Sequence, residues 1–222
     1  MAADHGPVSL HLECTMGEHL YTYIDPPNAR HLEQIVDTLR RDGVIAIPTG
    51  TSWAFCVNPA SKKARTRMVR LKPTHKSDTT FSLICRDISM ATRVTVIDGR
   101  AYRLLHRLWP GAYTVLLPAT HAMQRQLRTK RPVVGIRIPE APLAMELLER
   151  FAGPLLVSTV PADPNGRVPK MGYEVYERFG GRVELVVDLG DELPGAPTTV
   201  IDLIYGEPEL VREGAGDVSR IG

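Results

Sequence analysis

The sequence predicts an α/β protein built on one mixed, twisted sheet with flanking helices. Three observations lead there. Short apolar runs bounded by Gly and Pro, such as Val44–Ile47 and Pro154–Ser158, read as buried strands. Helix-period segments with polar caps alternate with them. No repeat and no long Gly/Ser or Pro-rich linker divides the 222 residues, a length ample for a sizeable core.

In chain order, Leu10–Glu13 and Tyr21–Ile24 read as short strands, and Asp25-Pro26-Pro27 as a turn. Asn28 caps a helix to about Arg41 with Leu32, Ile35, Val36 and Leu39 on one face, and Asp42-Gly43 stops it. Val44–Ile47 is a strand that runs into the polar turn Pro48-Thr49-Gly50-Thr51. Ser61 caps a basic helix that Pro73 ends. Phe81–Cys85 is the next strand. Asp98–Leu108 is a helix with Tyr102, Leu105 and Leu108 inward. Trp109-Pro110-Gly111-Ala112 turns into the strand Tyr113–Leu117. Ala122–Leu127 is a short helix, Val133–Ile138 a strand, Ala141–Phe151 a helix and Pro154–Ser158 a strand. Pro161–Met171 is loop, Tyr173–Phe179 a helix and Glu184–Asp188 a strand. Thr198–Leu203 and Glu209–Arg212 close the chain as a hairpin pair. Residues 1–27 are expected to form an N-terminal segment packing on a domain of residues 28–222.

Composition narrows the function. Hydrophobic residues make up 43% and charged residues 23%, as in ordinary globular chains. There is no apolar run of the ~18 residues that a membrane helix needs, so no membrane partner is expected. The first residues have neither the basic start nor the apolar core of a secretion signal. Three cysteines, Cys14, Cys56 and Cys85, stand far apart in no CxxC pattern, which argues for a reducing, cytoplasmic setting. Cys56 and Cys85 sit in apolar runs and read as core residues. His11, Cys14 and His19 match no standard zinc spacing, so no metal site is expected.

Charge is the anomaly. The net charge is only +2, yet Ser61–Ser77 holds Lys62, Lys63, Arg65, Arg67, Arg70, Lys72 and Lys76 and no acid. Three readings stand side by side: a solvated helix face, a surface for nucleic-acid phosphates, or two or three cations converging on a nucleotide triphosphate. A second acid-free window, Thr120–Pro139, carries Arg125, Arg128, Lys130, Arg131 and Arg137. The low aromatic content, 6%, disfavours a single-strand stacking platform but not duplex RNA. Hydroxyls and Arg recur at strand ends: Thr49, Thr51, Ser82, Thr114, Arg137, Ser158, Thr159, Thr198, Thr199 and Arg212. Open α/β sheets bind ligands there, and hydroxyls with Arg forks suit phosphate or carboxylate oxygens. The chain has no GxxxxGK[ST], no GxGxxG after a strand, no GxSxG and no HExxH.

Seven ordered strings resemble the YrdC/Sua family of threonylcarbamoyl-adenylate synthases. Pro48-Thr-Gly-Thr-Ser-Trp-Ala54 resembles P-T-[DE]-T-x-Y-G, and Arg70-Leu-Lys72-Pro73 resembles K-x-R-P. Trp109–Thr114 resembles W-P-G-P-x-T, Val134–Pro139 resembles V-x-x-R-x-P, and Ser158-Thr-Val160 stands at S-x-N. Pro197–Asp202 resembles E-S-T-[VI]-[VI]-D, and Val211–Gly214 resembles L-R-P-G. The strings run from about residue 28 to 217. The nearest likeness within the family is its YciO branch, which shares the Phe81–Asp87 string and Pro-Thr-Thr-Val-Ile-Asp-Leu.

The resemblance implies an open sheet around a basic concave surface, with ATP as a substrate, Mg²⁺ on the triphosphate, and L-threonine and bicarbonate as co-substrates. The product would serve tRNA threonylcarbamoyladenosine modification. Double-stranded RNA or tRNA is an implied partner. Carried over by position, Thr49, Thr51, Thr114, Arg137 and Thr198 would bind substrate. Arg70, Lys72, Lys76, Ser158, Thr159 and Arg212 would bind nucleotide. No catalytic side chain is assigned. The departures fall on the site motifs: Gly50 replaces the acid, the Arg70/Lys72 pair is swapped, and Val160 replaces the Asn. Arg and Lys are not interchangeable at a bidentate site, and a Val side chain cannot hydrogen-bond. The expectations are therefore a synthase-like nucleotidyltransferase, a hydrolase of the threonylcarbamoyl adenylate, or an RNA-binding protein without turnover.

Overall fold

The computed structural model describes residues 16–72, 81–127 and 132–222. Among these residues ten strands form one sheet in the order β1-β8-β2-β3-β7-β4-β6-β5-β9-β10. They are β1 (Glu18–Tyr21), β2 (Ile45–Pro48), β3 (Trp53–Val57), β4 (Ser82–Ile84), β5 (Tyr113–Pro118), β6 (Val133–Arg137), β7 (Leu155–Thr159), β8 (Leu185–Asp188), β9 (Thr199–Asp202) and β10 (Glu209–Arg212). Four neighbour pairs, β1/β8, β2/β8, β4/β6 and β5/β9, are parallel. The other five are antiparallel, so the sheet is mixed as expected.

Seven α-helices flank it among the described residues: α1 (Ala29–Arg40), α2 (Lys62–Arg70), α3 (Ile88–Thr92), α4 (Gly99–Leu108), α5 (His121–Leu127), α6 (Pro142–Phe151) and α7 (Gly172–Phe179). Their starts follow local chemistry. The side chains of Asn28, Ser61, Asp87 and Asp98 accept backbone N–H bonds from the first turns of α1, α2, α3 and α4. Pro142 opens α6. Buried Leu32, Ile35, Val36 and Leu39 form the inner face of α1, which packs on α6 and β2.

Several expectations need correction. The first described strand is Glu18–Tyr21, and Ile24 keeps only an isolated bridge to Pro27. Parallel pairing with β8 selects that earlier register. Leu10–Glu13 lies outside the described residues. Tyr102 is 49% exposed, and α4 buries Ala101, Leu104, Leu105 and Leu108 instead. β3 and α3 are additional elements. The β9/β10 pair is antiparallel as expected, but β9 also joins β5 in parallel. Cys56 and Cys85 are buried, and burial pushes both thiols up, Cys85 to about 12.

Candidate functional site

Strand alternation builds the site before any single residue does. Residues two apart on a strand share a face, and registered partners share it across strands. Ala54 opposes Thr159, Val157 opposes Ser82, Ser82 opposes Gly135, and Gly135 opposes Leu116. Thr114 opposes Val200, and Val200 opposes Arg212. This one face of six strands and of β10 bears small, polar or half-buried residues. It floors a cleft of about 550 Å³. Gly135 is essential to the depth. A Cβ there would stand 2.8 Å from Ser82 Oγ and 3.2 Å from Thr114 Cγ2.

Arg137 sits at the end of β6 and is only 6% exposed. Its Nη2 donates to the Thr49 carbonyl at 2.7 Å and its Nη1 to Thr49 Oγ1 at 3.1 Å. Its Nε donates to the Gly111 carbonyl at 3.4 Å. Thr49 Oγ1 in turn donates to the Ser52 carbonyl at 2.7 Å, closing the turn between β2 and β3. The guanidinium thus ties the turn at Thr49 to the turn at Gly111 through neutral acceptors. Among the described residues no carboxylate pairs with it. Burial pulls its pKa down to about 10, so it is charged at neutral pH. A buried cation with no counter-charge is costly unless an anion joins it.

Lys72 reaches the same cleft from just beyond α2. Burial lowers its pKa from the usual 10.5. Arg212 also lines the cleft and donates to the Thr198 carbonyl at 2.8 Å. Thr114 Oγ1 and Thr198 Oγ1 bond each other at 2.8 Å. Thr159 and Ser158 also line the cleft. The buried hydroxyls of Ser158 and Thr51 have no hydrogen-bond partner within the described structure. A second lobe of about 300 Å³ adjoins the first and shares Ser52, Lys72 and Thr159 with it. Its own walls include Val160, Pro161, Ala162, Val168 and Pro197.

Eight of the eleven sequence-predicted site residues line the first lobe: Thr49, Lys72, Thr114, Arg137, Ser158, Thr159, Thr198 and Arg212. Thr51 is buried in the adjacent turn and is not part of the lining. Arg70 is exposed on α2 and does not line the cleft. Lys76 lies outside the described residues. The basic run divides further. Arg67 Nη1 is paired with Glu184 at 2.7 Å, and Arg65 donates to the Pro59 carbonyl. Ser52, Ala54, Leu116, Val157, Val200 and Val211 are lining residues that the sequence reading missed. For Leu116 and Val200 the alternation with Thr114 and Thr198 was the available signal.

His19 is engaged within the sheet. Its Nε2 stands 2.9 Å from Asp188 Oδ2, fastening β1 to β8. His11 and Cys14 lie outside the described residues. Among those described, no cluster of three His, Cys, Asp or Glu is placed to hold a metal ion. No helix among them is long and apolar enough to cross a membrane.

The Sua5/YciO/YrdC family model, which carries the description telomere recombination, matches residues 37–214. Escherichia coli YciO is 34% identical over 204 residues, covering 91% of this chain and 98% of its own. Its crystal structure superposes with a TM-score of 0.84 over 93% of this chain and 100% of that one. A threonylcarbamoyl-AMP synthase from Methylobacillus flagellatus is 36% identical over 175 residues, covering 76% of this chain and 92% of the synthase. Pyrococcus abyssi Sua5 complexed with L-threonine shares the fold at 24% identity, with a TM-score of 0.78 over 90% of this chain and 58% of Sua5.

Proposed function

This chain belongs to the Sua5/YciO/YrdC family, and from that membership and the cleft we propose that it binds an amino-acid carboxylate beside ATP and forms or processes a threonylcarbamoyl adenylate. One observation carries the reading: buried Arg137 is charged, without a counter-ion among the described residues, in a cleft that also bears the unpartnered Ser158 hydroxyl and Lys72.

Arg137 offers a fork to the carboxylate of L-threonine, and Thr49 holds the fork in place. Lys72 and Arg212 line the same cleft and would hold phosphates there, with Ser158, Thr159, Thr114 and Thr198 as hydroxyl partners. The donor set fits a triphosphate, because cations and hydroxyls predominate and no carboxylate lines the first lobe. Mg²⁺ would arrive on the triphosphate and neutralise its charge, since the described residues supply no ligand cluster. With bicarbonate as the carbon source, an oxygen of the threonine carbamate bonds to the α-phosphorus while the bond to pyrophosphate breaks. Lys72 and Arg212 stabilise the charge that gathers on the departing pyrophosphate. The adenylate would serve threonylcarbamoylation of a tRNA adenosine in the cytoplasm. Names of related chains support this, as the synthase likeness covers most of both proteins.

Val160 favours a second reading. It is buried in the second lobe where a hydrogen-bonding Asn was expected. A site that retains adenylate binding and loses one polar contact suits hydrolysis of the threonylcarbamoyl adenylate. The test is pyrophosphate release from ATP with L-threonine and bicarbonate, against a Lys72→Ala control. Release above the control supports synthesis. No release, with AMP liberated from supplied adenylate, selects the hydrolase. Neither activity in the wild type overturns both.

A further inference from the structure

Arg212 reaches the cleft because β10 is irregular. Glu209 opposes Asp202 and Leu210 opposes Ile201, but it is Arg212 that opposes Val200. Val211 is the extra residue of a β-bulge. In a regular ladder Val211 would oppose Val200, and Arg212 would oppose Thr199. A slip of one residue turns a side chain to the other face of the sheet. Val200 lines the cleft, whereas Thr199 is fully buried on the reverse face. The bulge therefore decides whether Arg212 stands in the cleft. Among the described residues no strand pairs with the outer side of β10. It is last in the sheet order, and all four of its residues are exposed. A bulge also leaves one residue of the ladder unpaired, so the ladder alone favours the regular register.

What favours the bulged register lies just beyond it. The Thr199 hydroxyl donates to the Gly216 carbonyl at 2.7 Å and accepts the Gly214 N–H at 3.0 Å. A hydroxyl can do both at once. The Ala215 N–H donates to the Pro197 carbonyl at 2.8 Å, and the Tyr113 hydroxyl to the Asp217 carbonyl at 3.0 Å. These bonds pin the returning chain along the start of β9, and only Glu213 separates Arg212 from the pinned stretch. A slip of β10 would have to pull Gly214 off Thr199. We propose that Thr199 is a positioning residue: its hydroxyl clasps Gly214 and Gly216, holds β10 in the bulged register and so keeps the Arg212 guanidinium in the cleft. There the Thr198 carbonyl accepts from Arg212 Nη2 at 2.8 Å. The ligand served is a phosphate group, and in that respect alone the proposal rests on the cleft reading above.

The test compares Thr199→Val, which keeps the side-chain shape and removes both bonds, with Thr199→Ser, which keeps the hydroxyl. Nuclear Overhauser contacts across β9 and β10 read the register in the full chain. Wild type and Thr199→Ser are expected to show Val200 opposite Arg212. Thr199→Val is expected to lose that contact and gain one between Val200 and Val211. Calorimetry with ATP reads the consequence: Thr199→Val should bind about tenfold more weakly, the scale of one charge-assisted bond. Thr199→Ser should stay within about twofold of wild type, a hydroxyl being all that the clasp needs. In an Arg212→Ala background, Thr199→Val should cost no more than about twofold further, because the two residues act as one unit. A general loss of packing would weaken binding in both backgrounds alike. Protection of the Gly214 amide from hydrogen exchange in the wild type provides a readout if Thr199→Val does not fold. The proposal is overturned if Thr199→Val keeps the bulged register, or if its cost is undiminished in Arg212→Ala. It is likewise overturned if the wild-type Gly214 amide exchanges as freely as an exposed one. If the wild type binds no ATP, the phosphate reading of the cleft fails, and the register comparison alone decides whether Thr199 holds Arg212.

Discussion

Arg137 is the residue on which the site turns, because burial and charge oppose each other there. Three neutral carbonyl and hydroxyl acceptors satisfy three of its five N–H groups and leave its charge uncompensated. Replacing it with Met keeps an unbranched apolar stem and removes the guanidinium. Charge-assisted bonds contribute about 1.5–3 kcal/mol each, so Arg137→Met should weaken L-threonine binding by about tenfold or more in calorimetry. Lys72 gives a pH signature. Its folded pKa lies below the unfolded 10.5 because burial penalises the ammonium. Phosphate affinity should therefore fall as pH rises through that lowered value. Stability should move the other way: in the same alkaline window the unfolded chain binds more protons, so stability rises with pH. Lys72→Met should abolish both trends, measured as ATP affinity and melting temperature across alkaline pH. The strand-end pattern and the V-x-x-R-x-P string made Arg137 legible in the sequence. Its three partners were not, because Thr49 and Gly111 are 88 and 26 residues away along the chain.

At the scale of elements, the turn between β2 and β3 explains a departure that the sequence only posed. Gly50 adopts φ +84, and a Cβ there would stand 2.6 Å from the Glu140 carbonyl oxygen. An acid at this position would meet both left-handed strain and backbone. Gly50→Asp should therefore destabilise the fold by at least the ~1–2 kcal/mol of the strain, lowering the melting temperature by about 2–4 °C per kcal/mol. The floor is equally exacting. Gly135→Val should fill the space between Ser82 and Thr114 and weaken ATP binding about tenfold or more, with far-UV dichroism unchanged. The capped helices were legible because Asn28, Ser61 and Asp98 act within one turn. β3 was not, because Trp53–Val57 is buried throughout and shows no alternation. Tyr102 misled for a related reason: at the helical period its neighbours Ala101 and Leu104–Leu105 offer an equally apolar face.

At the scale of the molecule, a ten-stranded mixed sheet gathers residues from turn to C-terminus into one cleft. The class of fold and most of the lining were readable from composition, strand ends and ordered strings. The strand order was not, because it places β7 between β3 and β4 and carries β8 to β2 through long-range pairing. Those crossovers bring Thr49, Arg137, Ser158 and Thr198 together. The most direct test of this assembly as an amino-acid site is calorimetric titration of the full chain with L-threonine and with L-threoninamide. The expected result is one site for L-threonine that weakens about tenfold or more both in Arg137→Met and when the carboxylate becomes an amide. Equal binding of L-threonine to wild type and Arg137→Met, or of threonine and threoninamide to the wild type, would contradict it.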